Sequence, residues 1–389
     1  MDKISIGKEI LRHIHSKGYE AYFVGGFVRD QLLKIHSNDI DITTNATPEE
    51  IEKIFDKTVA TGKKYGTVTV FVDNYSFEIT TYRIDQDYQD HRKPERVKFS
   101  HDLAEDLMRR DFTINAMAMD IEGDIIDFHD GKTDLTKRII RAIGDPETRF
   151  KEDALRILRA IRFVAKLNFT IEEKTQKAIE KNLKLLLEIS IERIINEFEQ
   201  IFAYDHHKEA LKYLVKSDIA KVFNEFNRGL ELYIQSSIKL NFLEFFALCL
   251  YVNKLEIPNY WRFSNKEKTR ITRLINIVKV TQRNSYNPLL VYQTSKELCL
   301  SANEISQVIN SKNNQKDLIE QIDKHLPIRK TQDLKINGND LLKIADFANE
   351  EIIGEILKEL EAKVLHNELE NEDEELIAYA KRMLERLDG

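Results

Sequence analysis

Short strands and helices alternate along the first part of the chain. Residues 1–17 carry their isoleucines largely on one side, which predicts an amphipathic helix. Thr47 and Pro48 predict the start of another helix, because threonine suits the N-cap and proline suits the first turn. Strands are predicted at residues 19–24, 63–72, 76–82 and 124–128, with turns at residues 73–75 and 122–123.

From about residue 145 onward the pattern of apolar positions is helical. Residues 149–166 predict one amphipathic helix, and residues 240–252 predict a buried one. The sequence therefore predicts an α+β fold, in which a mixed sheet with helices is followed by all-helical segments. The expected segments are residues 1–145, 146–204, 205–330 and 331–389.

Composition limits the class of protein. A chain of 389 residues suggests two to four domains or subdomains. The net charge of −7 argues against a uniformly basic nucleic-acid-binding surface but is compatible with a local basic groove. The two cysteines, Cys249 and Cys299, cannot form a zinc cluster by themselves and fit buried thiols in a reducing compartment. No run approaches the roughly 20 apolar residues of a membrane span, and residues 1–17 are charged throughout, so we expect a cytoplasmic protein that does not contact membranes.

The first candidate site is the stretch YFVGGFVRDQLLKIHSNDIDI, residues 22–42, which predicts a strand, a Gly-Gly turn, a short helix, a loop and a second strand. Glycine leaves no side chain between backbone and ligand, so a phosphate can approach the turn at Gly26, with Arg29 one turn into the helix. Asp39 and Asp41 are two residues apart and share one face of the second strand. Two carboxylates opposite a phosphate-binding turn can hold Mg²⁺ ions that bridge a nucleoside triphosphate.

Each part of this stretch also has a plainer interpretation. A Gly-Gly pair is usually only a turn, and an Asp-x-Asp pair on a strand is more often a solvated face. Their joint occurrence favours a ligand site, because Ile40 and Ile42 can bury the opposite face of the strand. The form GGFVRD followed by DIDI resembles the nucleotidyltransferase superfamily that includes DNA polymerase β. Within it, the stretch resembles the branch of class II tRNA nucleotidyltransferases and bacterial poly(A) polymerases.

The second candidate site lies in residues 149–166, which carry six Lys or Arg and two acids. Asp153 and Arg156 are predicted three residues apart on one helix face. Asp accepts hydrogen bonds and Arg donates them, so the pair can satisfy the pairing edge of cytosine or adenine, whereas guanine and uracil present mismatched groups. A site that leaves buried groups unpaired with the wrong base discriminates strongly. The charge pattern alone also fits a solvated helix, but EDALR resembles the EDxxR motif of the same family, which implies base recognition by these two residues.

The string RRDFTINA resembles the family's second motif. The resemblance implies that Arg110 binds the nucleotide and that Asp111 and Asn115 help to recognise the ribose. It also implies that Arg159 and Arg162 contact nucleotide phosphate or ribose, a task that suits the fork of donors on arginine.

Four further features have open interpretations. Glu78 is either a third carboxylate near the metal ions or an exposed strand residue. Residues 83–102 are polar and predict a surface loop, and the resemblance implies a flexible loop that takes part in the switch from C to A addition. Residues 192–198 resemble the family's last motif and are expected to support the preceding helix. Residues 262–279 hold six Lys or Arg and one Glu, which fits either a contact with an RNA backbone or, more readily, a solvated helix face.

The motifs extend over nearly the whole chain in the order found in class II CCA-adding enzymes of the Firmicutes type. The resemblance implies a polymerase-β-like catalytic head (residues 1–145), then a helical neck, body and tail with the boundaries given above, and a tail that grips tRNA. It implies addition of C, C and A, from CTP and ATP, to a tRNA lacking part or all of its 3′ CCA. Asp39 and Asp41 would be the catalytic residues that hold two Mg²⁺ ions. A poly(A) polymerase or a partial CC-adding or A-adding enzyme shares these motifs. A non-catalytic tRNA-binding protein is a more distant alternative. The sequence is also compatible with a homodimer.

Overall fold

The computed structural model of the protein describes residues 2–37, 39–86, 96–344 and 350–388. Contacts between Cα atoms divide the chain into two units, Met1–Asn227 (unit 1) and Arg228–Gly389 (unit 2). The finer boundaries at residues 145, 204 and 330 stay predictions. None of the helices in the described ranges has the length and apolar character that crossing a membrane requires.

Unit 1 contains a mixed seven-stranded sheet in the order β3-β4-β5-β2-β1-β8-β9, and two small two-stranded sheets pair β6 with β7 and β10 with β11. Within the large sheet, β2 pairs with β5 in parallel and the other neighbouring pairs are antiparallel. The strands are β1 Ala21–Val24, β2 Asp41–Thr44, β3 Thr58–Gly62, β4 Thr67–Val72, β5 Tyr75–Thr81, β6 Arg83–Gln86, β7 Arg96–Phe99, β8 Met117–Met119, β9 Ile125–Asp127, β10 Ile139–Ile140 and β11 Thr170–Ile171.

The register of the central strands positions the first candidate site. Phe23 on β1 and Ile42 on β2 are fully buried and face each other across the antiparallel pair. Val24, the last residue of β1, pairs with Asp41, the first residue of β2. The Gly-Gly turn that follows β1 therefore lies at the same edge of the sheet as Asp41, as the sequence predicts.

The helices that cover the sheet begin where the sequence predicts. Asp2 caps α1, which buries its isoleucines, and Thr47 forms a capping box with Glu50 at the start of α3. The hairpin predicted around residues 122–123 is formed by β8 and β9. The helices of unit 1 are α1 Lys3–Ser16, α2 Gly26–Leu32, α3 Pro48–Ile54, α4 Leu103–Met108, α5 Gly131–Lys137, α6 Pro146–Glu152, α7 Leu155–Leu167, α8 Glu173–Asn182, α9 Ile191–Ala203 and α10 His207–Lys216.

The single helix predicted for residues 149–166 is wrong. The chain breaks between α6 and α7 at Asp153, whose φ of −141° and ψ of 102° are extended. The Asp153 carboxylate accepts a hydrogen bond from the backbone N–H of Leu155 at 3.1 Å. Aspartate competes with a helix by forming such local bonds, so Asp153 is the C-cap of α6, and α7 begins two residues later at Leu155 with Ala154 as its N-cap. The predicted helix is consequently two helices, α6 and α7.

The loop predicted for residues 83–102 is partly wrong. Its two ends form the antiparallel strands β6 and β7, with Ile84 opposite Lys98. Residues 87–95 of the predicted loop lie outside the described residues, and its proposed role in nucleotide switching stays a prediction. Strands are usually recognised by their apolar and β-branched residues. The segments that form β6 and β7 contain few such residues, so their composition predicted a loop.

Unit 2 is helical in its described residues. The predicted buried segment forms α12, whose apolar residues lie in the core, and α12 packs against α13 and α15. A second core joins the residues around Leu341 to those of α18 and α19. The helices from residue 227 onward are α11 Asn227–Gln235, α12 Phe242–Asn253, α13 Asn265–Thr281, α14 Pro288–Thr294, α15 Lys296–Ile309, α16 Lys316–Lys324, α17 Gly338–Leu342, α18 Glu350–Leu365 and α19 Asp373–Asp388.

Candidate active site

A cavity of about 910 Å³ in unit 1 brings the predicted site residues together. Its size is in the upper part of the usual range for small-molecule sites. The lining carries eight arginines and Lys166 against five carboxylates, which makes it a local basic groove in a protein of net charge −7. The lining includes all nine residues predicted for catalysis, metal binding or nucleotide binding: Gly26, Arg29, Asp39, Asp41, Arg110, Asp153, Arg156, Arg159 and Arg162.

One part of the lining is rich in carboxylates. Asp41 pairs in register with Glu78 on the parallel neighbour β5, and Asp39 lies just before β2. Burial, then the nearby Asp39 carboxylate, raise the pKa of Asp41 to about 6; Glu78 adds to the rise and Arg110 opposes it. Asp41 is thus a half-buried carboxylate with too little positive charge around it in the protein alone.

These carboxylates fit a hard divalent cation. No group of three or more His, Cys, Asp or Glu side chains in the described ranges is arranged to hold a metal ion by itself. Mg²⁺ usually takes only one or two carboxylates and completes its shell with water and substrate phosphates. Asp39 and Asp41 therefore match an ion that would share its ligands with a nucleotide. Glu78 lines the same cavity beside Asp41, and its role as a third ligand stays a hypothesis.

The glycine turn lies directly against these groups. Gly25 has a φ of +70°, a conformation that residues with a Cβ rarely adopt. A Cβ atom at Gly25 would lie 2.9 Å from Nη1 of Arg110 and 3.6 Å from Oδ2 of Asp41. Glycine is therefore required here for two reasons, and the turn, the arginine and the aspartate form one end of the cavity.

Arg110 is held in place by Asp106, which sequence reasoning missed. The Asp106 side chain is fully buried and its carboxylate lies 2.9 Å from Nη2 of Arg109 and 3.3 Å from Nη2 of Arg110. It also accepts longer bonds from the Thr43 hydroxyl and the Arg83 backbone N–H, both at 3.4 Å. Burial alone would raise the pKa of Asp106, but Arg109 and Arg110 hold it below its usual value. The i+3 and i+4 spacing from Asp106 to the two arginines is the signal that could have found it.

A second chain of polar contacts starts at Asp111. Its carboxylate accepts two bonds from Arg159, at 2.8 and 2.5 Å, and one from the Asn115 amide at 3.0 Å. Asn115 in turn accepts a 2.6 Å bond from Nη1 of Arg29, which also pairs with Asp30 at 2.7 Å. Burial opposes the charged form of Asp111, yet Arg159 and Asn115 hold its pKa far below the usual range. This chain connects residues from α2, the RRDFTINA segment and α7.

The expected pairing of Asp153 with Arg156 on one helix face is wrong, although both residues line the cavity. Asp153 lies between α6 and α7 and pairs with Arg193 of α9 at 3.2 Å. Arg156 donates to the Glu152 carboxylate at 2.8 Å and to the backbone oxygen of Arg109 at 3.2 Å. The helix break at Asp153 is the physical reason for this separation.

The C-terminal half of α7 supplies further cations to the cavity. Arg162 lies 2.9 Å from the Glu197 carboxylate of α9, and Lys166 lies 3.3 Å from that of Asp30. Helix α9 therefore contacts the cavity-lining residues of α7, as expected for residues 192–198, and its Arg193 also lines the cavity. The three-to-four residue spacing from Arg159 to Lys166 could have predicted Lys166, whereas nothing in the sequence predicted the contact of Arg193 with Asp153.

Comparison with known proteins identifies the family. The chain is 40% identical over 395 aligned positions to the CCA-adding enzyme of Ligilactobacillus salivarius, with 99% of this chain and 98% of that protein covered. It is 38% identical to the CCA-adding enzyme of Staphylococcus haemolyticus, with 96% of each covered. The chain belongs to the CCA-adding enzyme family. As a family member it is a tRNA nucleotidyltransferase, and the family depends on a divalent metal ion.

Family models and solved structures agree with this assignment. Three models match the chain: the poly A polymerase head domain, the probable RNA and SrmB binding site of polymerase A, and tRNA nucleotidyltransferase domain 2, at residues 21–141, 168–230 and 244–380. The Bacillus stearothermophilus CCA-adding enzyme in complex with CTP superimposes with a TM-score of 0.87 at 30% identity, covering 100% of this chain and 99% of that one. The Thermotoga maritima CCA-adding enzyme complexed with tRNA shares the fold, with a TM-score of 0.68 at 22% identity over 99% of this chain and 96% of that one. These matches confirm the predicted order of a catalytic head followed by helical segments.

Proposed function

We propose that this chain builds and repairs the 3′-terminal CCA of tRNA, adding C, C and A in order from CTP and ATP and releasing pyrophosphate. The observation that carries the proposal is the single cavity in which a glycine turn, two metal-suited carboxylates and the EDALR residues meet. Relatives studied with CTP, with ATP and with tRNA support the same substrates. We also assign the enzyme to the cytoplasm, on the strength of its two free buried cysteines.

Asp39 and Asp41 would hold two Mg²⁺ ions, and Asp41 is the more buried of the two. When bound, such ions lower the pKa of the attacking tRNA 3′-hydroxyl and neutralise charge on the leaving pyrophosphate. The protein's own part is to keep both carboxylates at the start of β2, beside the glycine turn. The tRNA hydroxyl then attacks the α-phosphorus of the nucleotide in line, and the bond to pyrophosphate breaks.

The cavity's other residues hold the nucleotide. Arg110, fixed by Asp106 next to Gly25, binds the triphosphate, and the backbone at Gly26 allows a close approach. Arg159 and Arg162 contact phosphate or ribose with the donors that their carboxylate partners leave unused. Arg29 is only 2% exposed and donates to Asn115, so it supports the ribose-contacting residues as well as facing the cavity.

Asp153 and Arg156 select the base. Recognition of the pairing edge of a base needs one acceptor and one donor that face the same cavity. The two groups do not have to lie on one helix face. Each residue has an alternative partner in the protein, Arg193 for Asp153 and Glu152 for Arg156. Binding of cytosine or adenine exchanges part of these contacts for contacts with the base, whereas guanine or uracil would leave groups unpaired.

The test is incorporation of labelled CTP and ATP, separately and together, into tRNA that lacks its 3′ CCA, with product length read on a gel. The proposal predicts two C additions, one A addition and then a stop. A long ladder of A would mean a poly(A) polymerase, and a stop after CC or a requirement for pre-added CC would mean a partial enzyme. No incorporation by folded protein with Mg²⁺ present would favour a tRNA-binding protein.

A further inference from the structure

Helix α13 of unit 2 presents a basic face with no acidic residue on it. Its buried side carries Ile271, Leu274 and Ile277, which pack toward α12 and α15. The opposite side is exposed and includes Lys266, Arg273 and the polar residues between them. Its exposed positions are 265, 266, 269, 272, 273, 276, 279, 280 and, just past the helix end, 283, and most of them follow the three-to-four spacing of one helix face.

The cations of this face are not used in ion pairs among the residues that the structure describes. Lys266, Arg273, Lys279 and Arg283 make no ion pair with any residue that the structure describes. The single acid of the helix, Glu267, is used in the capping box, where its carboxylate accepts from the backbone and hydroxyl of Ser264. A surface helix of a protein with net charge −7 usually interleaves both signs of charge, so four uncompensated cations on one face are unusual.

The last segment of unit 2 has the opposite charge. Residues 331–389 contain 7 Lys or Arg and 16 Asp or Glu. The first turn of α19 alone carries Asp373, Glu374 and Glu375, all exposed. An acidic surface repels a phosphate backbone, and the repulsion extends over about a Debye length. The net charge of this segment therefore disfavours contacts with RNA phosphates.

We propose that the exposed face of α13, formed by Lys266, Arg273, Lys279 and Arg283, is the surface of unit 2 that binds the phosphate backbone of tRNA. This inference rests on the proposed function for its choice of RNA. The first and last of the four cations are 17 positions apart, about 25 Å at 1.5 Å per residue, which is long enough to reach several successive phosphates of one RNA strand. The threonine and asparagine side chains between them add neutral donors, which nucleic-acid-binding surfaces also direct to phosphates.

The test compares two sets of four charge-neutralising substitutions in the full chain. The first variant carries Lys266→Gln, Arg273→Gln, Lys279→Gln and Arg283→Gln. The matched control carries Lys358→Gln, Lys363→Gln, Lys381→Gln and Arg382→Gln, which remove four cations from α18 and α19. The affinity for tRNA lacking its CCA is measured at several salt concentrations, without CTP or ATP. Thermal melting and the affinity for CTP, whose cavity lies in unit 1, report whether each variant is folded.

The proposal predicts that the α13 variant binds tRNA at least roughly tenfold more weakly at low salt and that its slope of log affinity against log salt falls by about three, since each lost phosphate contact lowers the slope by about 0.7–0.9. The control should keep the wild-type slope. An unchanged slope in the α13 variant, or an equal loss in the control, would overturn the proposal. The proposal would also be overturned if the α13 variant bound tRNA normally but no longer associated with itself or with another protein. Failure of the proposed function is distinguishable, because wild-type protein would then not incorporate CTP or ATP, whatever its affinity for tRNA.

Discussion

Replacing Asp106 tests how the cavity fixes the arginine next to the glycine turn. Asp106→Asn keeps the shape of the side chain but removes the charge that Arg109 and Arg110 share. Breaking a buried ion pair costs about 3–5 kcal/mol when a charge is left uncompensated. The arginine side chains retain 15% and 17% exposure, so water can solvate part of the charge that is left behind. We therefore expect a loss of stability of about 2–3 kcal/mol.

This magnitude can be measured as a shift in melting temperature. In a domain of 150–250 residues, which includes unit 1, a change of 1 kcal/mol shifts the melting temperature by about 2–4 °C. The substitution should lower it by roughly 5–10 °C. Asp102→Asn is the matched control, because Asp102 caps the same helix through the Ala104 N–H and asparagine caps a helix as well as aspartate does.

The same substitution should weaken nucleotide binding. Without its anchor, Arg110 samples other rotamers, and we expect KM to rise about tenfold, equivalent to about 1.4 kcal/mol. The rise should be equal for CTP and ATP, because Arg110 lies against Gly25 and Asp41 at the end of the cavity that is assigned to phosphates. If Asp106 acts on nucleotide binding through Arg110, Asp106→Asn should add little to the KM of an Arg110→Ala variant. The two single variants and the double variant form a double-mutant cycle, which measures the coupling between the two residues. Additive effects, or a KM change for one nucleotide alone, would refute the reasoning.

Three further variants test other parts of the cavity. Asp153→Ala with Arg156→Ala should lower the preference for CTP over UTP by roughly tenfold or more, measured by single-nucleotide incorporation; unchanged selectivity would remove the base-recognition assignment. Gly25→Ala should abolish incorporation of both nucleotides, while Gly18→Ala, which has a similar φ of +85° but no neighbour within 4 Å, should only lower the melting temperature; equal activities would contradict the contact argument. Asp111→Asn should lower stability at neutral pH. The pKa of Asp111 is depressed in the folded state, so the contribution of its carboxylate to stability is present above the unfolded pKa of about 3.9 and is lost as the pH falls below that value. The variant should therefore lose less stability than wild type between about pH 4 and pH 2. Parallel curves of unfolding free energy against pH for the two proteins would contradict this.

Much of the fold and the composition of the cavity could be predicted from sequence because the decisive signals are local. The turn at Gly25, the N-cap at Thr47 and the alternation along β4 and β5 are each determined by a few neighbouring residues. The nine predicted site residues lie in short motifs on segments that the sheet topology brings to one cavity. Local patterns and a known order of motifs were enough to predict residues that line one cavity, and their roles stay predictions.

The parts that could not be predicted depend on competition between local and distant contacts. Asp153 has a helical pattern on both sides, and its carboxylate interrupts the helix by bonding the Leu155 N–H and Arg193. The roles of Asp106 and Arg193 depend on side chains that meet only in the folded chain. The same is true of the 2.6 Å bond between Arg29 and Asn115, which are 86 positions apart in sequence.

The measurement that tests the central claim most directly is incorporation by Asp41→Asn and wild type under matched conditions. Single-turnover addition would be followed on tRNAs ending before the CCA, after C and after CC, each with CTP or ATP and Mg²⁺. The account predicts that wild type adds C, C and A in order, whereas Asp41→Asn adds neither nucleotide to any of the three tRNAs yet binds them with wild-type affinity. Incorporation by Asp41→Asn at a rate near that of wild type would contradict the assignment of this cavity as the catalytic site.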